Sequence, residues 1–168
     1  MIFNRFLLAG LLILTSCHNP FAPPVGTESD AGNTGTRNQV TIEGFYEAFK
    51  TAYRIQDTTL YGQLLDDGFQ FNYYDFERGI DVSWGRSEDM KTTAGLFRNS
   101  EQLELEWSYF RDYRVDSVQA ILSRAFTLRV VFSSVDVIQG DGIARFQLGR
   151  PTATSPWKLV RWTDESNF

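Results

Sequence analysis

The segment from Leu103 to Val115 alternates between apolar and polar residues, and it constrains the fold more than any other part of the chain. Side chains on a β-strand point to opposite faces in turn, so this pattern predicts a strand with one large apolar face. The segment is far longer than the usual strand of about five or six residues, so we expect a bend or a bulge. Further strands and amphipathic helices must cover the apolar face. The residues predicted to share it are Leu103, Leu105, Trp107, Tyr109, Arg111, Tyr113 and Val115.

Cysteine and histidine are almost absent from this sequence of 168 residues. Cys17 and His18 are the only ones, and they are adjacent near the N-terminus. The rest of the chain therefore cannot form an intrachain disulfide, a Cys/His zinc site, or a catalytic group based on thiol or imidazole. The net charge is −5 and no run of Lys or Arg occurs, so the electrostatic footprint of a nucleic-acid-binding protein is missing. We expect no metal and no cofactor.

The first 17 residues have the layout of an export signal. Arg5 is followed by a nine-residue apolar stretch, Phe6 to Leu14, which is too short to span about 30 Å of hydrocarbon. The tetrapeptide Leu14-Thr15-Ser16-Cys17 then resembles the lipobox of bacterial lipoproteins. The resemblance implies that residues 1–16 are a signal peptide, that cleavage falls before Cys17, and that the Cys17 sulfur is acylated. The alternative is an ordinary secretory signal with a chance cysteine, or an uncleaved anchor.

The lipobox resemblance also implies a location. The second residue of the mature chain would be His18 and not Asp, which by the sorting rule of lipoproteins implies the periplasmic face of the outer membrane. Residues 17–40 are rich in Pro, Gly, Ser and Thr and poor in large apolar residues, so we interpret them as the lipidated cysteine and a disordered tether. The lipid bilayer is therefore an expected partner, reached through acylated Cys17.

Three helices are predicted in the first half of the remaining chain. Thr41 can cap the first and Asp57 the second, while Ser87 opens the third. Gly68 stands where the second helix would end in a left-handed conformation. The apolar stripes are predicted to comprise Ile42, Phe45, Tyr46, Phe49, Ala52 and Tyr53 in the first helix, Leu60, Tyr61, Leu64 and Leu65 in the second, and Met90, Ala94 and Phe97 in the third.

Alternating patterns predict a hairpin before the third helix and a run of strands after it. The hairpin joins a strand through residues 69–73 to a strand through 80–84, across a turn at 75–79. After the strand at 103–115 and an ambiguous stretch at 116–124, we expect strands at 125–138, 143–148 and 157–164, with turns at 139–142 and 151–156. In the last strand, Leu159 and Trp162 are predicted to face opposite sides.

This order of elements predicts an α+β domain over residues 41–168, in which a curved antiparallel sheet wraps around the N-terminal helices. The apolar pattern consists of Phe45-Tyr46, Phe49, Ala52-Tyr53, Asp57, Leu64-Leu65 and Phe69-x-Phe71, followed by Trp84-Gly85 and Trp157-Lys158-Leu159-Val160. Pattern and order together resemble the nuclear transport factor 2-like superfamily, including its SnoaL-like and ketosteroid-isomerase-like branches. The resemblance implies a cone-shaped, cystatin-like fold with an apolar pocket, often dimeric through the outer face of the sheet.

Enzymes of this superfamily commonly use a His–Asp pair, or an Asp base with Tyr and a protonated Asp. The first arrangement is excluded because the predicted domain has no histidine. For the second, a carboxyl group buried in an apolar cone could act as a general base. Asp75 is the one catalytic candidate, because it continues the face of the preceding strand. The phenols that could accompany such a base are Tyr53, Tyr73 and Tyr109. The alternative is that the carboxylates are structural, with Asp57 as a helix cap, Asp75 as a turn residue and Asp81 at a solvent-facing strand position.

Large aromatic residues are more numerous than a plain core requires, and they predict a pocket for a small apolar ligand. The alternative is that they pack the core and a dimer interface. The residues predicted to line the pocket are Tyr53, Phe71, Tyr73, Trp84, Met90, Phe97, Trp107, Tyr109, Phe132, Phe146 and Trp162.

We therefore expect a membrane-anchored envelope lipoprotein whose single domain is non-catalytic and binds a small apolar ligand or a protein. The alternative is a dehydratase or isomerase that uses a buried Asp in the cone on a small apolar substrate. A homodimer through the sheet is a further expectation, from the resemblance and from the apolar residues Leu159 and Val160 on the two faces of the last strand.

Overall fold

The computed structural model describes residues 39–166, which form three helices and one six-stranded sheet. The helices are α1 (Ile42–Arg54), α2 (Thr58–Leu64) and α3 (Arg86–Asn99). The strands are β1 (Leu65–Asp75), β2 (Ile80–Gly85), β3 (Gln102–Val115), β4 (Gln119–Ser133), β5 (Asp136–Gly149) and β6 (Lys158–Asp164). Within this described part, no helix is both long enough and apolar enough to cross a membrane.

The strands lie in the order β2-β1-β6-β5-β4-β3. β1 and β6 come from the two ends of the domain and run parallel, whereas every other neighbouring pair is antiparallel. The predicted α+β fold with a curved sheet is confirmed, although the sheet is mixed and not purely antiparallel. No hairpin turn joins β1 to β6, so the local sequence does not set their relative direction.

Helix α1 packs across the inner face of the sheet. Thr41 caps it, and the Thr41 hydroxyl oxygen accepts a hydrogen bond from the Gly44 amide at 3.0 Å. Tyr46 stacks on Phe146 of β5, with 5.6 Å between the ring centroids. Phe49 contacts β3 and β6 as well as β5, so one helix ties together strands from both halves of the sheet. The predicted apolar stripe is confirmed, since all six of its residues are buried.

Strand β3 bends where its pairing with β4 slips, between Trp107 and Asp112. The predicted irregularity is therefore confirmed, and it changes which residues face the core. Leu103 and Leu105 are buried as predicted, but Tyr109 is 61% exposed. Phe110, which the alternation places on the polar face, packs against Tyr46 at 5.6 Å. The prediction of one continuous apolar face is wrong at Tyr109, because a shift in pairing after Trp107 reverses the side that alternate residues face. A second shift before Asp112 returns Tyr113 to the inner side, where its ring packs against Phe110 at 5.0 Å.

The chain turns back on itself between Ser133 and Asp136, and not at residues 139–142 as predicted. The predicted strand 125–138 therefore covers the end of β4 and the beginning of β5. Gly142 lies inside β5, where a Cβ atom would lie 2.7 Å from Cζ of Phe126 and would collide with Oγ of Ser166. Glycine marks a close approach between neighbours at this position, and the sequence pattern does not distinguish that role from a turn.

A bulge also lies in β6. Gln147 pairs with Arg161 and Leu148 pairs with Leu159, so Val160 is the extra residue. Leu159 is fully buried, and Trp162 packs against Phe71, Phe49 and Phe146 in the core. The prediction that Leu159 and Trp162 face opposite sides is wrong, because the bulge turns both toward the interior.

Helix α2 begins as predicted and ends earlier. The Asp57 carboxylate caps it, with Oδ1 accepting hydrogen bonds from the amides of Thr59 at 2.8 Å and Leu60 at 2.9 Å. The helix stops at Leu64 and β1 follows directly, so Gly68 lies in a strand with ordinary negative φ. The predicted left-handed helix end at Gly68 is wrong, because the helix passes into a strand without a turn.

Helix α3 buries Phe97 as predicted, but the other two residues of its buried face lie one position before the predicted ones. The buried residues are Asp89, Thr93 and Phe97, whereas Met90 and Ala94 are only partly buried. The prediction followed the apolar residues, but a buried carboxylate with hydrogen-bond partners occupies the inner face instead.

The predicted signal peptide, residues 1–16, the acylated Cys17 and nearly all of the predicted tether lie outside the described residues. The last two residues of that tether, Gln39 and Val40, belong to the fold. The Gln39 carbonyl oxygen accepts a hydrogen bond from the Trp157 amide at 2.9 Å, and the Val40 carbonyl oxygen accepts one from Arg150 Nη1 at 2.9 Å.

Candidate ligand-binding cavity

A cavity of about 260 Å³ lies between α1 and the inner face of the sheet. Every strand except β2 contributes to its walls, so only the complete sheet forms it. Ile138 is 57% exposed, whereas the other lining residues are buried or partly buried, so the cavity meets solvent beside β5. The lining residues are Phe49 and Tyr53 of α1, Phe71 of β1, Leu105 and Trp107 of β3, Phe126, Leu128 and Val130 of β4, Ile138 and Gly140 of β5, and Trp162 and Asp164 of β6.

Aromatic rings packed against one another hold the walls of the cavity in place. Phe49 stacks on Tyr53 with 5.2 Å between centroids, and both lie on one face of α1. Trp162 packs edge to face against Phe71 at 5.0 Å and against Phe49 at 5.8 Å. Such pairs favour fixed relative orientations, so the space between the rings is preformed.

The indole N–H groups of Trp107 and Trp162 are buried and have no hydrogen-bond partner among the described residues. Rings surround both indoles at edge-to-face angles, with Tyr46 4.8 Å from Trp107 and Phe146 5.3 Å from Trp162. Ring faces accept N–H groups weakly. Both residues line the cavity, so its walls include two buried indole N–H groups that have no partner among the described residues.

Asp164 is the one carboxylate among the lining residues that the structure describes. It ends β6, and its Oδ1 accepts hydrogen bonds from the amide of Ser166 at 3.0 Å and from the hydroxyl of Ser166 at 2.5 Å. No ion pair with Asp164 occurs within residues 39–166, whereas the neighbouring Glu165 lies 3.7 Å from Arg145. The cavity therefore combines apolar walls with a single unpaired negative charge.

A second buried carboxylate, Asp89, lies behind the cavity wall. It is 4% exposed, and it accepts hydrogen bonds from the Tyr61 hydroxyl at 2.6 Å and from Nε1 of Trp84 at 3.0 Å. Burial raises the pKa of Asp89, although the two hydrogen bonds act in the opposite direction. Burial also raises the pKa of Tyr61, so this phenol stays protonated and acts as the hydrogen-bond donor to Asp89. Asp89 does not line the cavity.

Asp89 nevertheless supports the cavity through Trp84. The Trp84 ring stacks on Phe71 with 4.5 Å between centroids and an interplanar angle of 16°. Phe71 in turn lines the cavity. The hydrogen bond from Trp84 to Asp89 thus fixes the ring that backs one cavity wall.

Four of the residues predicted to line the pocket do line the cavity: Tyr53, Phe71, Trp107 and Trp162. The others lie elsewhere. Tyr73 and Trp84 pack behind Phe71, Phe97 and Phe146 are core residues, Met90 and Phe132 pack at the edge of the core, and Tyr109 is on the surface. The aromatic pattern therefore locates the interior, but it does not separate core from cavity.

The three carboxylates considered in the sequence occupy local structural positions. Asp57 caps α2. Asp75 ends β1, where its Oδ1 accepts a hydrogen bond from the Arg78 amide at 2.9 Å and its carbonyl oxygen accepts one from the Gly79 amide at 2.7 Å. Asp81 is exposed on β2. None of them lines the cavity, so the candidate base Asp75 is a turn residue.

The predicted lining omits Asp164, Gly140, the aromatic residues Phe49 and Phe126, and all of the aliphatic residues of the cavity wall. Phe126, Leu128 and Val130 alternate along β4, and that alternation was the available signal for them. Asp164 follows Trp162 by two residues, which places both on one face of β6. Its significance depends on the other five elements around it, and these come together only in the fold.

A second depression, of about 480 Å³, lies on the outside of α2 and carries both signs of charge. Arg86 donates a hydrogen bond to the Gly62 carbonyl at 3.0 Å, and Lys158 donates one to the Gln63 carbonyl. Asp66 and Asp67 balance these two cations. In the described part of the chain, no group of three or more acidic, His or Cys side chains is arranged to hold a metal ion.

Comparison with known proteins relates this fold to solved structures alone, because no family model and no curated protein matches the sequence. A candidate dehydratase of the nuclear transport factor 2-like family from Streptomyces avermitilis has a TM-score of 0.59 at 16% identity, covering 76% of this chain and 94% of that chain. A candidate scytalone dehydratase from Novosphingobium aromaticivorans has a TM-score of 0.64 at 12% identity, covering 76% and 82%. A candidate aromatic ring hydroxylase from the same species has a TM-score of 0.62 at 15% identity, covering 78% and 90%.

These structures define the class of fold. The described domain is an α+β cone of the nuclear transport factor 2-like kind, with a curved mixed sheet and few helices. At such low identities the likeness shows the fold and not an activity.

Proposed function

We propose that this domain is a non-catalytic binding module for a small apolar ligand, carried on a lipid-anchored envelope protein. The observation that supports it is the cavity of about 260 Å³ with aromatic and aliphatic walls. An engineered apolar cavity of about 150 Å³ already binds benzene, so this space suits a ligand of one or two rings. Burial of such a ligand contributes about 25 cal/mol for each Å² of apolar surface that leaves water.

The arrangement of polar groups favours binding over catalysis. A general acid or base must reach the reacting atoms directly or through one water. Asp89 is separated from the cavity, and both of its carboxylate oxygens already accept hydrogen bonds. Asp75 is engaged in a turn. The chain's single histidine, His18, precedes the described domain.

The alternative function is a dehydratase or isomerase. Asp164 favours it, because this carboxylate lies in the cavity. Two of the structurally similar proteins carry dehydratase in their names. Under this alternative, Asp164→Asn would remove a general base worth roughly 10²–10⁴ in rate while an apolar inhibitor still binds. Under the binding function, no turnover accompanies binding.

Calorimetry with 1-naphthalenemethanol tests the binding function. Gly140 lies on the same face of β5 as Ile138 and Ala144, so Gly140→Leu places a side chain in the cavity. Binding should be lost in Gly140→Leu and retained in Gln139→Leu, which adds the same side chain on the opposite, exposed face. No heat of binding with the unaltered protein, or equal binding by both variants, would contradict the proposal.

Lipid anchoring is the second part of the proposal, supported by Leu14-Thr15-Ser16-Cys17 after a short apolar stretch. We propose that the protein lies at the periplasmic face of the outer membrane. Intact-mass analysis of the membrane fraction should find that the chain begins at Cys17 and that this residue carries acyl chains. Cys17→Ala should abolish the acyl mass, whereas His18→Ala should keep it. An unmodified Cys17 in the wild-type membrane fraction would contradict the anchor and leave the cavity function intact.

Self-association through the sheet is a further part of the proposal. Tyr109 of the edge strand β3 is 61% exposed on the outer side of the sheet, opposite to the inward-facing Phe110, and it offers apolar surface for a second copy. Sedimentation should find a dimer at tens of micromolar. A monomer at that concentration would remove this part.

A further inference from the structure

The charge around the cavity is negative. Among the described residues that line it there is no Lys, Arg or His, and Asp164 is the one carboxylate. Ser166 directs its hydrogen bonds to Oδ1 of Asp164, and within residues 39–166 no donor reaches Oδ2. The carboxylate therefore keeps an oxygen that can accept a hydrogen bond from a ligand.

The walls favour the same sign of ligand charge as Asp164 does. Six aromatic residues line the cavity: Phe49, Tyr53, Phe71, Trp107, Phe126 and Trp162. The face of an aromatic ring is electronegative and attracts a cation within about 6 Å of its centroid, most strongly for Trp. Among the described residues that line the cavity, an anionic ligand would meet no cation and would be repelled by the Asp164 carboxylate.

From these two observations we propose that the ligand is a hydrophobic amine, whose apolar part fills the space between the rings and whose ammonium group binds Asp164. This inference rests on the proposed binding function and names its ligand class. A protonated amine donates a charge-assisted hydrogen bond to the free oxygen of Asp164, and such bonds are about twice as strong as neutral ones. The net charge of −5 also attracts a cation during approach.

Three probes with one ring system separate the contributions of charge and shape. At pH 7, 1-naphthylmethylamine is cationic, 1-naphthalenemethanol is neutral and 1-naphthoate is anionic. Calorimetry on the purified protein should find the amine bound at least about tenfold more tightly than the alcohol, and the carboxylate bound most weakly.

Asp164→Asn should reduce the affinity for the amine to that for the alcohol and leave the alcohol within about twofold, because the amide keeps an acceptor for Ser166 but no charge. Glu165→Gln is the matched control, since it removes a carboxylate one residue away that is already near Arg145. It should leave all three affinities unchanged. Thermal melting checks that both variants are folded.

The outcomes distinguish the two proposals. Equal binding of amine and alcohol, or an amine preference that survives Asp164→Asn, would overturn the amine assignment and leave the apolar-ligand function standing. Amine binding that survives Gly140→Leu would place its site outside the cavity and also overturn the assignment. Failure of all three probes to bind would overturn the proposed function itself.

Discussion

Asp89 shows how one residue can decide the packing of a helix and of a cavity wall. It occupies the first turn of α3, where its negative charge favours the positive end of the helix. It also receives hydrogen bonds from Tyr61 of α2 and Trp84 of β2, so three elements meet at one buried carboxylate. The two donors would otherwise be buried without partners, which costs about 1–3 kcal/mol for each group.

Substitution of Asp89 should therefore lower the free energy of unfolding, and the loss should be larger when more hydrogen-bond acceptors are removed. Asp89→Ala leaves both donors unpaired, and we expect the free energy of unfolding to fall by about 2–4 kcal/mol. Asp89→Asn should cost less, because its oxygen can accept from Trp84 while Tyr61 accepts from its NH₂ group. Urea unfolding measures both changes. Glu88→Ala, at an exposed position in the same turn, should change stability by less than about 0.5 kcal/mol.

The difference in stability between the wild type and Asp89→Asn should depend on pH, and the direction of that dependence follows from the pKa of Asp89. Burial raises the pKa of Asp89 in the folded state above its ordinary value of 3.8, so the folded protein binds this proton more tightly than the unfolded chain does. As the pH rises from 3.8 through the raised pKa, the wild type should lose stability relative to Asp89→Asn. Unfolding measured across that pH range should show that the difference in free energy of unfolding between the wild type and Asp89→Asn becomes smaller. A gap that widens with pH would contradict the assigned direction.

At the scale of whole elements, the hairpin of β4 and β5 depends on a glycine inside a strand. Phe126 and Gly142 are directly opposite each other in this pair, and the Phe126 ring occupies the space where a side chain on residue 142 would lie. Phe126 also lines the cavity. The glycine thus lets a long hairpin carry a bulky ring that forms part of the cavity wall.

Gly142→Ala should destabilise the protein by about 1–3 kcal/mol, because the new methyl group displaces Phe126. The affinity for 1-naphthalenemethanol should fall with it. Gly95→Ala in α3 is the matched control, since a Cβ there meets no atom within 4 Å. That control should raise stability by about 0.5–1 kcal/mol through its better helix propensity. Thermal and urea unfolding of the two variants measure both effects, and a neutral Gly142→Ala would contradict the packing argument.

For the molecule as a whole, the boundary of the folded unit lies at Gln39 or before it. Gln39 is 1% exposed and binds the backbone of Trp157, which precedes the last strand. Arg150 links the same region, because its guanidinium lies 3.9 Å from the Trp157 ring centroid and donates to the Val40 carbonyl. Hydrogen bonds thus connect Gln39 and Val40, at the beginning of the described residues, to the segment that precedes the last strand.

A shortened chain that begins at Asn38 should therefore be soluble and unfold in one cooperative transition. A chain that begins at Thr41 loses the hydrogen bonds to the carbonyl groups of Gln39 and Val40, and we expect it to be less stable by about 1–3 kcal/mol. Differential scanning calorimetry compares the two. Equal stability would show that these contacts contribute nothing, and loss of the transition in the longer chain would place the boundary earlier.

Local pattern was sufficient for much of this protein. The caps at Thr41 and Asp57, the buried stripe of α1, the hairpin of β1 and β2 and the α+β class followed from residue spacing and from a resemblance to a known superfamily. The lipobox resemblance at Cys17 is also a matter of sequence, and it stays a prediction. These features depend on residues a few positions apart, so a linear sequence contains the information that specifies them.

The tertiary structure decided the features that depend on register and on distant partners. Bulges in β3 and β6 reversed the alternation after Trp107 and at Val160, so that Tyr109 faces outward and Trp162 faces inward. Asp164 became part of a cavity, and Asp89 a buried hydrogen-bond acceptor, because elements far apart in the chain close around them. One extra residue in a strand exchanges its two faces, and a carboxylate's role follows from the groups that surround it. Neither can be derived from alternation alone, since both depend on contacts between distant parts of the chain.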